Sequence, residues 1–196
     1  MAATIEPAVR EFIARQHVFF VATAPLAKDG HINVSPKGLD SLRVLDERTV
    51  AYVDLTGSGA ETIAHLRENG RITLMFCAFE GDPKIVRVYG RGEAIEPDHP
   101  EFGVLLKHFR NWPGLRAIIR IHVERVAQSC GYGVPLYQFV GDRSRLIDWA
   151  QQKGPQGLRD YQQRHNRWSI DGLPGLRMAA GSTRGDDSST TSSSSS

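Results

Sequence analysis

The sequence predicts a mainly β fold, an antiparallel barrel of six or seven strands with peripheral helices. Two observations carry this. Short apolar or alternating runs recur between residues 17 and 126, separated by turn signals such as Asp46-Glu47-Arg48 and Glu80-Gly81-Asp82-Pro83. One central helical pattern interrupts them, and no alternating βα rhythm is present to build a parallel sheet.

Taken in order, residues 5–16 fit a short amphipathic helix with Ile5, Val9, Phe12 and Ile13 on one face. His17–Ala24 is a β-rich run, Asp29-Gly30 a tight hairpin signal, and His31–Ser35 alternates beyond it. Pro36 has no N–H for a ladder, so Ser35–Gly38 is expected to end that strand or bulge from it. Leu39–Leu45 and Thr49–Asp54 are further strand candidates. Arg71–Phe79 reads as a buried strand. Lys84–Ile95 reads as a long one, with Ile85, Arg87, Tyr89 and Arg91 alternating against Val86, Val88 and Gly90. A helix is expected over Pro100–Phe109, and then Ile119, Ile121 and Val123 alternate with Arg120, His122 and Glu124.

Beyond Gln128 the texture changes. Ser129–Pro135 is a glycine-rich loop. Asp142–Lys153 is expected to be helical, capped by Asp142 and stopped by Gly154, with a second short helix over Leu158–Arg167. Asn166–Leu176 has too many breakers for regular structure. It is expected to be ordered and extended, burying Trp168, Ile170, Leu173 and Leu176. From about Gly181 the Ser/Thr-rich chain has little to bury and is expected to be disordered. The expected division is a barrel domain over 1–128, a helical and extended segment over 129–178 packing on the barrel or a partner subunit, and a tail over 179–196.

With 196 residues, 40% hydrophobic and 23% charged, the chain supports one domain with a sizeable core. Its charge of +2 is interspersed, so neither nucleic acid nor a membrane surface is an expected partner. Apolar runs such as Val18–Ala22 are too short to cross a bilayer. Glu6, Arg10 and Glu11 interrupt the beginning, so no secretory signal is expected. Cys77 and Cys130 make neither a disulfide framework nor a zinc site, and they read as reduced thiols of a cytoplasmic protein. The histidines lack metal spacing, and no G-x-S-x-G elbow occurs.

Gly57-Ser58-Gly59 lies between a strand and a helical pattern that closes at Gly70. A loop feeding a helix start presents unpaired N–H groups and the positive end of the helix dipole, which suits an anion. Ser58 and Thr62 offer hydroxyl donors to a phosphate. The alternative is that Ser58 merely caps the helix and the glycines merely allow the turn. Position 62 is threonine, so G-x-G-x-x-G is incomplete, and no Gly-Lys-Ser/Thr follows. Asp54 and Glu61 lie close by and would repel a phosphate unless turned away.

The order VATAPLAKDGHINVSPKG, AYVDLTGSGAETIAHL, GRITLMFCAFEGDPKIVRVYGRGEAI resembles the pyridoxamine 5′-phosphate oxidase-like family of FMN-binding split barrels, over roughly residues 10–126. It looks closest to the broad "oxidase-related" branch. The resemblance implies an FMN-dependent oxidoreductase acting on a small organic substrate, built as a homodimer with FMN at the subunit interface. Val34, Ser35, Pro36 and Lys37 would lie along the flavin, Val53 and Asp54 would add contacts, and Gly57, Ser58, Gly59 and Thr62 would meet the phosphate.

Two features depart from that pattern. The basic pair after the loop serine is Gly59-Ala60, and the glutamine that bonds the flavin maps near Ile85. Both departures count against authentic vitamin B6 oxidation. Lys37, Arg87 or Arg91, or the helix dipole alone, would then have to meet the phosphate charge. Other readings are a non-catalytic flavin-binding dimer acting in sensing or storage, and a deazaflavin- or haem-using barrel. No catalytic side chain is assigned, because a flavin carries the hydride itself. Cys130 is a candidate thiol. Trp112, Tyr132, Trp149 and Trp168 are candidates for ring stacking or for core filling.

Overall fold

Successive side chains of a strand point to opposite faces, so runs with one apolar phase can wrap a sheet around a core. In this computed structural model, which describes residues 3–177, seven strands do so in one antiparallel sheet. They are β1 (Phe19–Thr23), β2 (Asn33–Lys37), β3 (Leu42–Val44), β4 (Thr49–Leu55), β5 (Arg71–Cys77), β6 (Ile85–Ile95) and β7 (Leu115–Ser129). Their order across the sheet is β2-β1-β5-β6-β7-β4-β3, which leaves β2 and β3 as the edges of a split barrel.

Val21, Leu74, Val88, Ile119 and Ile121 fill the concave side. Helices α1 (Pro7–Ala14) and α2 (Glu61–Asn69) add Val9, Phe12, Ile63 and Leu66 to the same core. On the outer face, α3 (Phe102–Leu106) covers Ala51, Val53, Ile95 and Ile118. β4 is therefore buried on both faces, with Val50 and Tyr52 inward and Ala51 and Val53 outward. Each large apolar side chain so buried contributes about 1.5–3 kcal/mol. Gly70 ends α2 with φ of 70°, the left-handed conformation that glycine adopts without a Cβ penalty.

Several sequence expectations are corrected. Asp29-Gly30 is not a tight hairpin: β1 and β2 pair from Thr23↔Asn33 to Phe19↔Lys37, with residues 24–32 as a longer connection. β2 ends at Lys37, within the Ser35–Gly38 stretch expected to end it, and Pro36 itself pairs with Phe20, which an edge strand permits because the missing N–H has no further neighbour. α4 (Arg145–His165) is broken at Gly154, where φ is 65° and Pro155 follows, giving the two helical halves expected. Its N-cap is Ser144 rather than Asp142. Leu176 is buried, but Trp168 and Ile170 are 57% and 69% exposed, because the Trp168↔Pro174 bridge turns them outward. The expected disordered tail lies outside the described residues. Among those described, no helix is long and apolar enough to cross a membrane.

Candidate functional site

The alternation of β4 places Asp54 in phase with Val50 and Tyr52, so a carboxylate arrives on the interior side of the sheet. A buried carboxylate needs cations. Lys37 Nζ on β2 donates to Oδ1 at 3.0 Å, and Arg116 Nε on β7 donates to Oδ2 at 2.8 Å. Burial works to raise the Asp54 pKa, but the two cations, Arg116 foremost, outweigh it and hold the carboxyl at about 2.

Arg116 reaches this position through a break in register. Asp54 pairs with Ala117 and Leu55 with Leu115, so Arg116 is the extra residue of a β-bulge. An unbroken alternation from His122 and Arg120 would send it to the outer face. The bulge turns it onto Asp54 instead, with its side chain only 6% exposed. Nε is used by Asp54, while Nη1 is buried and has no hydrogen-bond partner among the described residues.

Above this cluster lies an open groove of about 370 Å³. Of the residues selected from sequence, Ser35, Pro36, Lys37, Val53, Gly57, Ser58, Gly59 and Thr62 border it. Asp54 lies beneath, engaged by its two cations, and Val34 projects to solvent from β2. Arg116 and Ser41 also line the groove, and the buried Ser41 Oγ likewise has no partner among the described residues. Leu39 and Asp40 turn the wall with φ of 62° and 52°, conformations unusual for side chains of this kind.

The N-cap of α2 is Ala60 without a side-chain hydrogen bond, so the reading of Ser58 as the cap is overturned. The first N–H groups of the helix, from Glu61 onward, have no acceptor within it and start at the groove. Glu61 folds its carboxylate back over Gly59, where a Cβ would stand 2.1 Å from Oε2. The same carboxylate accepts the Ile170 N–H at 3.3 Å.

Residues not legible as site residues hold the loop. Asn33 Nδ2 donates to Thr62 Oγ1 at 3.0 Å and to Thr23 Oγ1 at 3.2 Å, tying the edge strand β2 to α2. From the C-terminal segment, Asn166 Nδ2 donates to the Gly57 carbonyl at 2.9 Å, and Gln162 Nε2 to Thr56 Oγ1 at 2.8 Å. Asn166 is fully buried, so Asn166→Ala is expected to cost about 1–2 kcal/mol, read as a melting point lowered by a few degrees.

Other sequence candidates sit elsewhere. Arg87 bonds Ser129, and Arg91 bonds Glu124 and the Asn69 carbonyl, so neither reaches the loop within this chain. Their place on the outer face of β6 decides this. Trp112 joins the cluster under α3, and Trp149 packs on Tyr161. Cys130 is exposed, and Cys77 is buried. A larger groove of about 1040 Å³ lies between α1, the 79–84 turn and residues 137–139, where Phe139 stacks on His17 at 3.7 Å. None of the buried unpartnered polar atoms among the described residues belongs to its lining, which separates it from the groove over Arg116.

A split barrel with a polar groove at the junction of β2, β4 and the start of α2 is the architecture of a known group. The chain belongs to the pyridoxamine 5′-phosphate oxidase family, whose model matches residues 5–130. It is similar to the pyridoxamine 5′-phosphate oxidase family protein ustO of Aspergillus flavus, with 44% identity covering 87% of this chain and 75% of that one. Among solved structures it resembles HupZ of Group A Streptococcus, with a TM-score of 0.52 and 23% identity over 64% of this chain and 99% of that one. It also resembles a candidate pyridoxamine 5′-phosphate oxidase of Lactobacillus delbrueckii, with a TM-score of 0.50 and 19% identity over 64% and 95% of the two chains.

Proposed function

We propose that this protein binds FMN in the groove beside Gly57–Thr62 and acts as a flavin-dependent oxidoreductase on a small organic substrate. In this reading it is a cytoplasmic homodimer whose second chain completes the pocket. One observation carries the reading. Two cations that share the buried Asp54 carboxylate, and a helix start with free N–H groups, converge on one groove, whose rim also carries Glu61 with its carboxylate drawn back over Gly59. That arrangement fits a phosphate. Gly57 and Gly59 keep the loop open to close approach, and the buried Arg116 Nη1 is a donor in need of an acceptor.

When bound, the isoalloxazine ring supplies the hydride chemistry. The chain supplies position and charge: Lys37 and the β2 backbone flank the ring side, and Thr62 offers its hydroxyl at the phosphate side. Among the described residues, no histidine or cysteine lines the groove. Support for a second chain comes from the exposed apolar side chains of the β2 region, Ile32 at 74% and Val34 at 62%, and from Tyr132, Leu136 and Val140 beyond β7. A groove of about 370 Å³ that stays open also lies at the small end for a cofactor site.

The purified full-length chain is expected to carry, or to take up from added FMN, the two-banded visible spectrum of oxidised flavin. It is also expected to elute as a dimer. A colourless chain that takes up neither FMN nor deazaflavin overturns the proposal. Bleaching of the bound flavin by NADPH separates an oxidoreductase from a passive flavin-binding dimer.

A further inference from the structure

Two buried polar atoms without partners among the described residues, Arg116 Nη1 and Ser41 Oγ, border the same groove. Leaving such atoms unpaired is costly, and a guanidinium is the costlier of the two. Arg116 is not free to relieve this by swinging into water. Its Nε is fixed to the Asp54 carboxylate at 2.8 Å, and the bulge between Leu115 and Ala117 fixes its backbone. The guanidinium is therefore held rigidly by one edge, with another donor unspent at the groove. A planar fork held in this way suits a tetrahedral oxyanion.

Lys37 and Arg116 face the Asp54 carboxylate, so the cluster beneath the groove keeps one net positive charge. Set against it is the Glu61 carboxylate at the rim, which lies over Gly59 and accepts the Ile170 N–H. The first N–H groups of α2 add the positive end of a nine-residue helix. The loop itself carries no cation, since Gly59 and Ala60 follow Ser58.

We propose that Arg116 is the charged anchor for a terminal phosphomonoester of the ligand, with Asp54 as the positioning residue that presents Nη1 to it. The charge that the loop lacks is thus supplied from β7, across the sheet. The pocket then prefers the phosphorylated form of a flavin over the same ring system without phosphate. This assignment rests on the reading that a phosphorylated flavin docks in this groove.

The test uses the full-length chain and measures dissociation constants for FMN and riboflavin by quenching of flavin fluorescence. Arg116→Lys keeps a cation for Asp54, but a compact ammonium drawn to that carboxylate does not present the second edge of a planar fork to the groove. FMN is expected to bind the Arg116→Lys chain about 10- to 100-fold more weakly, the range of a charge-assisted hydrogen bond. Riboflavin is expected to bind both chains equally. A variant that keeps the wild-type preference for FMN overturns the anchor and leaves the flavin reading standing, as does a wild-type chain with no preference.

If no flavin binds, the flavin reading fails, and inorganic phosphate decides the anchor by its ³¹P linewidth. Broadening by the wild type that is lost in Arg116→Lys supports it, and equal behaviour of the two chains overturns it. Should Arg116→Lys not fold, the pair Asp54→Asn with Arg116→Gln, which removes the Asp54–Arg116 ion pair as a unit and leaves Lys37 in place, is measured by the same criteria.

Discussion

Replacing Asp54 by alanine is expected to lower the unfolding free energy by about 3–5 kcal/mol, because it strands buried cations rather than deleting one contact. Arg116 is 6% exposed and Lys37 23% exposed at their side chains, so neither can be fully rehydrated in place. The measurement is the urea midpoint at neutral pH, and a loss below about 1 kcal/mol would contradict the account. Acid gives an independent check. The Asp54 pKa falls from an ordinary 3.8 to about 2 on folding, with burial opposing the fall and Arg116 and Lys37 driving it. A depressed carboxylate pKa adds stability above the unfolded value, and that stability is lost as pH falls through the folded value. The shift corresponds to about 2 kcal/mol. Between about pH 5 and pH 2 the wild type loses this share and Asp54→Asn does not, so the two stability curves converge on acidification.

The second large effect is expected at a glycine far from the groove. β6 and β7 slip register between Tyr89 and Gly90, and a Cβ at Gly90 would stand 2.1 Å from the His122 carbonyl oxygen. The obstacle is backbone in the longest strand pair of the sheet, so no side-chain rotation relieves it. Gly90→Ala is expected to cost about 3 kcal/mol or more, read from the urea midpoint or as insoluble protein on expression. Gly57→Ala is the contrast: nothing stands within 4 Å of its Cβ position, and its stability is expected to stay within about 1 kcal/mol of wild type. A similar loss from both substitutions would show that the β-bulge is not what demands glycine at position 90.

Strand alternation made much of the fold legible. Val86, Val88 and Gly90 against Arg87, Tyr89 and Arg91 predicted an inner and an outer face for β6, and those faces are observed. Gly70 marked the end of α2 because few residues other than glycine take a φ of 70° readily. Turn chemistry served less well at Asp29-Gly30, where the missing Cβ of Gly30 makes room for the Pro25 ring rather than for a two-residue hairpin. Trp168 and Ile170 misled because apolar character alone does not say which way a bridged segment faces.

The strands, the antiparallel class, the central helix and the glycine loop at its start were legible in the chain, since each rests on periodicity or backbone preference within a few residues. What stands beneath that loop is set by long-range packing. Arg116 is 62 residues from Asp54 in the chain and turns inward because of one unpaired residue in a β-ladder. A bulge shifts the side-chain phase by one, and no local pattern in β7 announces it. Asn166, which holds the Gly57 carbonyl from 109 residues away, was hidden for the same reason: its partner is set by packing, not by spacing.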